Sequence, residues 1–210
     1  MEKSTFEFYD KLAKNNPNKK SVKLLPSNDF TSYDANFILK HSNLNSEILD
    51  LASGTGLTLE KIVDQVKSII AVELFKEFSD LILKHNKIQV INSDIKDFDI
   101  NQKFDIITFF GIMQYYSENE AQDIYIKYKK LLKNKGKIII KNQFGVRDDV
   151  VVNGYSENLK CDYFSEYRWI EKEKELLRSI GFENVDHFDI YPAECNKWDN
   201  THFYSIVASI

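Results

Sequence analysis

The chain has 210 residues, 43% of them apolar and 29% charged, which suits one soluble globular domain and is short for two. A net charge of −4 argues against a nucleic-acid partner. No apolar run approaches the roughly 20 residues that a membrane span needs. The opening residues lack an apolar signal core, and Cys161 and Cys195 show neither disulfide-framework nor metal spacing. These features set the expectation of a reduced, cytoplasmic protein with no metal, no membrane and no nucleic acid, acting as a monomer or homodimer.

Two helical stretches are expected first, near 5–14 and 33–41, separated by a polar segment with Pro17 and Pro26. Ile48 to Leu51 reads as a short buried strand that runs into Ala52-Ser53-Gly54-Thr55-Gly56. Leu59, Ile62, Val63 and Val66 then recur at i, i+3, i+4 and i+7, a helix face. A second strand is predicted over 68–73, a helix over 75–85 with Phe75, Phe78 and Ile82 on one side, and a third strand over 88–91. A fourth strand covers 104–110. The clearest helix spans 118–133, with Ala121, Ile124, Tyr125 and Tyr128 on its buried face and Gly136 as its terminating glycine. "KIIIK" at 137–141 is a fifth strand. Residues 142–167 read as one long connection rich in Tyr, Asp and Asn. After a helix near 169–180, "NVDHFDIY" and "HFYSIVAS" have only the loop 192–201 between them. They are expected to pair antiparallel at a sheet edge. Strands alternating with helices imply an α/β fold with a mostly parallel sheet covered on both faces.

In such sheets the ligand site lies beyond the carboxyl ends of the strands, where the glycine turn stands. A phosphate loop would need Lys followed by Ser or Thr after Gly56, and Leu57-Thr58 stands there instead. A dinucleotide turn would place a third glycine where Leu59 is found. The remaining candidate is an adenosyl ligand without pyrophosphate. Asp50, just before the turn, suits a positively charged ligand. Glu73, at the tip of the second strand, suits ribose hydroxyls; Asp94 suits an adenine amino group, and Ile95 its ring.

Taken in order, "ILDLASGTG" at 48–56, "VE" at 72–73, "SDI" at 93–95, "FDIITFFGIMQYY" at 104–116 and "LLKNKGKIIIK" at 131–141 resemble class I S-adenosylmethionine-dependent methyltransferases. The resemblance covers about residues 35–209. It implies a Rossmann-like three-layer sandwich whose seven strands run 3-2-1-4-5-7-6. Residues 1–45 would form a helical lid and 46–210 the domain that binds S-adenosyl-L-methionine. Cofactor-binding positions carried over are Asp50, Ala52, Gly54, Gly56, Glu73, Leu74, Asp94, Ile95, Phe109, Phe110 and Gly111. The family often has glycine where this chain has Ala52.

For the acceptor, Gln114 and Tyr115 after the fourth strand and His202 at the start of the last are the candidate catalytic residues. Arginine is rare here, so Arg147 and Arg168 are expected to capture a carboxylate or phosphate, with Tyr9, Tyr155, Tyr163 and Tyr167 as further contacts. "EKEKE" at 171–175 reads as a solvated helix face. The resulting expectation is an O-methyltransferase for a small anionic metabolite bearing a phosphate, phosphoramidate or carboxylate. The lid and composition also resemble enzymes of bacterial capsule or surface-polysaccharide biosynthesis, including those of the phosphoramidate pathway. A scaffold that binds the donor without turnover and an N-methyltransferase are the alternatives.

Overall fold

In the computed structural model the described residues are 3–15, 17–22, 30–156, 161–196 and 198–210. Pro26 and residues 27–29 of the expected lid lie outside them. Seven strands form one sheet: β1 (Glu47–Leu51), β2 (Ser68–Glu73), β3 (Ile88–Asn92), β4 (Phe104–Phe110), β5 (Leu132–Gly145), β8 (Asn184–Phe188) and β9 (Thr201–Ser209). Their order is β3-β2-β1-β4-β5-β9-β8. The first five run parallel, and β9 lies antiparallel between β5 and β8. This is the order that the resemblance implies, once the separate hairpin of β6 (Val150–Ser156) and β7 (Cys161–Tyr167) is set aside.

The central strands are apolar on both faces because both are covered. Along β1, Leu49 and Leu51 point into one core and Ile48 into the other. The first core is closed by α5 (Glu118–Lys129) and α6 (Ile170–Ser179), the second by α2 (Thr31–His41) and α3 (Leu57–Ile62). A third cluster packs Ala13 of α1 (Lys3–Lys14) against Phe75 and Phe78 of the segment holding α4 (Lys76–Ser79). Thus α2 belongs to a sandwich layer, whereas α1 lies over the strand ends. α5 starts with a capping box between Ser117 and Glu120, which satisfies backbone donors of its first turn.

Three elements differ from the sequence reading. The helix expected over 75–85 is a single turn, Lys76–Ser79. Its apolar residues serve different clusters: Phe78 packs toward α1, while Ile82 packs beside Gly56, and one helix cannot satisfy both. The helix expected to reach Lys133 stops at Lys129, and Gly136 lies inside β5. There the pairing with β4 slips, from Phe104 opposite Leu132 to Ile106 opposite Lys137. A Cβ at Gly136 would stand 2.8 Å from the Lys133 carbonyl oxygen, so close backbone approach explains this glycine. The long connection 142–167 contains the end of β5 and both strands of the β6–β7 hairpin.

Candidate functional site

The strand ends of β1, β2, β4 and β5 open into one crevice, roofed by Tyr9 of α1. Its rim is the turn after β1. Ala52, Gly54 and Gly56 all have positive φ, at 59°, 57° and 76°. Left-handed backbone costs an alanine roughly 1–2 kcal/mol, so Ala52 holds a strained conformation and glycine would fit there without strain. Gly56 does not itself face the crevice. Its role is space: a Cβ there would come 3.0 Å from Ile82 Cγ2. At Gly111, with φ 70°, nothing lies within 4 Å of where a Cβ would stand, which leaves the floor open for close ligand approach.

Two carboxylates are built into this turn. Glu73 accepts through Oε2 from the Gly54 amide at 2.7 Å and through Oε1 from the Phe75 amide at 3.0 Å. A carboxylate has about four lone-pair sites, so Glu73 keeps some accepting capacity for an outside donor. Burial pushes Glu73 up to about 7 despite these bonds. Asp50 accepts from the Thr108 hydroxyl, and burial pushes it up to about 6. Asp34 and Asp94 also line the crevice, against Lys141 as its one lysine or arginine among the described residues. Lys141 Nζ lies 3.8 Å from Asp34 Oδ2 and over the rings of Phe110 and Tyr191. The Tyr191 hydroxyl donates to Asp34.

The crevice brings together Asp50, Ala52, Gly54, Glu73, Leu74, Asp94, Ile95, Phe110, Gly111, Tyr9 and Tyr115 from the expected set. Several other expectations are corrected. Phe109 is fully buried between Tyr125 and Tyr128, because alternation along β4 turns it into the α5 core. Arg168 is 2% exposed: its guanidinium forks onto Glu173 and donates to the carbonyls of Tyr116 at 2.7 Å and Met113 at 3.2 Å. It therefore captures no ligand but braces the turn that carries Tyr115. Its partner Glu173 is fully buried and also accepts from Tyr125, so "EKEKE" is not an all-solvated face. Arg147 is exposed on the β5–β6 connection, outside the crevice.

His202 bonds Asp189 at 2.9 Å and Asn196 at 3.1 Å, and it stacks on Tyr204 on the β9 surface. It does not reach the crevice and is no base for it. Gln114 turns back to donate to the Gly111 carbonyl at 3.1 Å. Tyr155 is exposed on the hairpin and Tyr167 is half-buried away from the crevice. Tyr163 does not line the crevice but donates to the Tyr115 hydroxyl at 3.0 Å. The sequence reading missed Asp34 and Lys141. Lys141 carried a signal: a charged residue ends an apolar strand buried on both faces, and alternation puts it on the side of Ile139 and Asp50.

Among the described residues no helix is long and apolar enough to cross a membrane, and no group of three or more His, Cys, Asp or Glu could hold a metal. A methyltransferase-domain family model matches residues 48–136, from β1 into β5. No curated protein matches the chain. Among solved structures, the chain is similar to DhpI in complex with SAH, with 13% identity, a TM-score of 0.72, and 99% of this chain and 98% of that chain covered. It is similar to an S-adenosylmethionine-dependent methyltransferase from Clostridium acetobutylicum, with 19% identity, a TM-score of 0.63, and 98% and 97% covered. It is also similar to phosphoethanolamine N-methyltransferase 1 of Haemonchus contortus, with 17% identity and a TM-score of 0.73. There 98% of this chain is covered but only 48% of that one. At these identities the likeness establishes the fold. The chain has a Rossmann-like methyltransferase fold, and its stretch 48–136 is similar to a methyltransferase domain.

Proposed function

We propose that this methyltransferase draws its methyl group from S-adenosyl-L-methionine and delivers it to an oxygen of a small anionic metabolite bearing a phosphate, phosphoramidate or carboxylate. The observation that carries the donor reading is the charge of the crevice. Four carboxylates face it, and one lysine. That lining repels a pyrophosphate and attracts a nucleoside carrying cationic groups. Glu73 keeps accepting capacity for a ribose hydroxyl, and Asp94 and Ile95 line the same crevice, open to an adenine ring. Asp50 and Asp34 offer negative charge to an ammonium group. Bound here, the donor supplies a methyl group on cationic sulfur.

The acceptor reading rests on Lys141 beside Phe110 and on the phenols of Tyr9 and Tyr115, which line the same crevice. Lys141 supplies charge and the phenols supply hydrogen bonds, a donor set for an oxyanion. An ionised oxygen needs no proton removed, which fits a crevice lined by no histidine among the described residues. The chain's work is then to align the two substrates and exclude water.

The test is turnover with labelled S-adenosylmethionine against a panel of alkyl phosphonates, phosphates, carboxylates and amines. The expected product is a methyl ester of one oxyanion, with Lys141→Met lowering kcat/KM for the acceptor about tenfold, as for one charged hydrogen bond. A methylated amine as product would overturn the O-methyl reading. Absence of donor binding in calorimetry would overturn the donor reading itself.

A further inference from the structure

Four hydroxyl groups from three separate parts of the chain meet beside the crevice floor. The Ser165 hydroxyl donates to Tyr163 at 2.8 Å, and Tyr163 donates to Tyr115 at 3.0 Å. Tyr115 and Tyr9 share a hydrogen bond of 2.8 Å in which either is donor. Ser165 and Tyr163 belong to β7 and are buried behind the crevice; Tyr115 and Tyr9 line it.

Counting protons gives the result. Along the line Ser165–Tyr163–Tyr115–Tyr9 four hydroxyls carry four protons, and the three links use three of them; the Tyr167 hydroxyl joins at the far end, beside Ser165 and Tyr163. Ser165 and Tyr163 have spent theirs. If Tyr115 donates to Tyr9, the proton of Tyr9 is left over; if Tyr9 donates to Tyr115, that of Tyr115 is. Either way one phenolic proton remains, on a side chain facing the crevice. Besides a ligand, the one competitor for it among the described residues is Gln114, whose side chain interacts with Tyr115 and whose buried Oε1 is otherwise unpartnered. Burial pushes the ionisation of Tyr9, Tyr115 and Tyr163 above the ordinary phenol range, so all three stay protonated and act as donors rather than bases.

The chain is held from outside as well. Arg168 grips the carbonyls of Met113 and Tyr116, on either side of Tyr115. The Thr5 hydroxyl donates to the Phe164 carbonyl at 3.0 Å and fixes α1 on β7, so Tyr9 arrives with the hairpin it bonds through. The rings of Tyr115 and Tyr163 meet edge to face at 87°. The donor position is thus organised before any ligand enters.

We infer that Tyr9 and Tyr115 present the one uncommitted proton of this hydroxyl relay to an anionic oxygen of the acceptor, with Tyr163 and Ser165 setting its direction. This rests on the acceptor reading above and narrows it. A hydrogen bond to the attacking oxygen would quench its nucleophilicity. The acceptor group therefore has at least two equivalent oxygens, one held by the relay and another free to attack, as in a phosphate, phosphonate or carboxylate. A lone phenolate or alkoxide does not meet this requirement.

The test titrates inorganic phosphate into protein saturated with S-adenosylhomocysteine, for the wild type, Tyr9→Phe, Tyr115→Phe and the double variant. Each single variant still has one phenol at the crevice with a proton to give. The expected result is a loss of a few-fold for each single change and of about tenfold or more for both, beyond the product of the singles, as for a lost hydrogen bond to a charged group. S-adenosylhomocysteine affinity should stay as in the wild type. Saturable phosphate binding that the double variant retains in full would overturn the inference, as would absence of phosphate binding to the loaded wild type. Failure to bind S-adenosylhomocysteine would instead count against the donor reading. Should the double variant not fold, the singles decide: phosphate affinity within twofold of wild type in both overturns the relay.

Discussion

Donor binding should depend steeply on pH, and the direction follows from two buried carboxyl groups. Burial holds Asp50 at about 6 and Glu73 at about 7 in the ligand-free crevice. A cationic donor favours their charged forms and lowers both values, so binding releases protons and tightens as pH rises. If the donor returned each group to its ordinary range, raising pH from 5 to 8 would strengthen binding about tenfold through Asp50 alone. With both groups the gain is on the order of several hundredfold. For the ligand-free chain the sign is opposite. A carboxyl whose folded value is raised stabilises fully below about pH 4, and that contribution is lost as pH climbs through 6 and 7. Calorimetry from pH 5 to 8, repeated in two buffers of different ionisation enthalpy, reads both the affinity and the protons released. An affinity constant within twofold across the range, with heats independent of buffer, would show that neither carboxylate faces the charge of the ligand.

Two further outcomes follow from the same geometry. Arg168→Met leaves Glu173 buried without its cation and should cost about 3–5 kcal/mol in urea unfolding, as when a buried ion pair loses one partner. S-adenosylhomocysteine affinity of the folded fraction should change little, since Arg168 does not line the crevice. Gly56→Ala puts a side chain on left-handed backbone and within 3.0 Å of Ile82, so a loss of about 1–3 kcal/mol is expected in thermal unfolding. An unchanged melting temperature would mean that the turn relaxes freely.

The fold was legible because its signals are local and repeated. Apolar runs such as "SIIAVE" and "FDIITFF" are long enough to be strands and carry no helical period, and the observed β2 and β4 have those bounds. The glycine turn and the acidic residues at the strand tips were legible for the same reason, since topology places them at one end of the sheet. What escaped depends on partners far away in sequence. Arg168 and Glu173 look solvated in any window, and only the fold buries them together with Tyr125. The β6–β7 hairpin packs chiefly on α1 and on the turn of Tyr115, with only a smaller contact to β5 of the main sheet, so its apolar alternation is weak and it read as a loop. Lys141 has meaning only beside Asp34, which lies more than a hundred residues earlier on α2.

The charges of the crevice bear on which step they assist. Methyl transfer to an oxyanion removes a positive charge from sulfur and a negative charge from the acceptor at once. Carboxylates near sulfur therefore hold the reactants more firmly than the transition state, and by themselves they slow the chemical step. In this chain two of them are already engaged by the protein. Glu73 is tied to the backbone of the turn, and Asp50 is tied to Thr108. Phe110, Gly111, Tyr9 and Tyr115 give the same crevice an uncharged part of its lining. On the proposed function, the acidic groups would select and anchor the donor at its sugar and amino-acid ends. Loss of the sulfonium charge on transfer would then weaken the grip of the crevice on the spent donor.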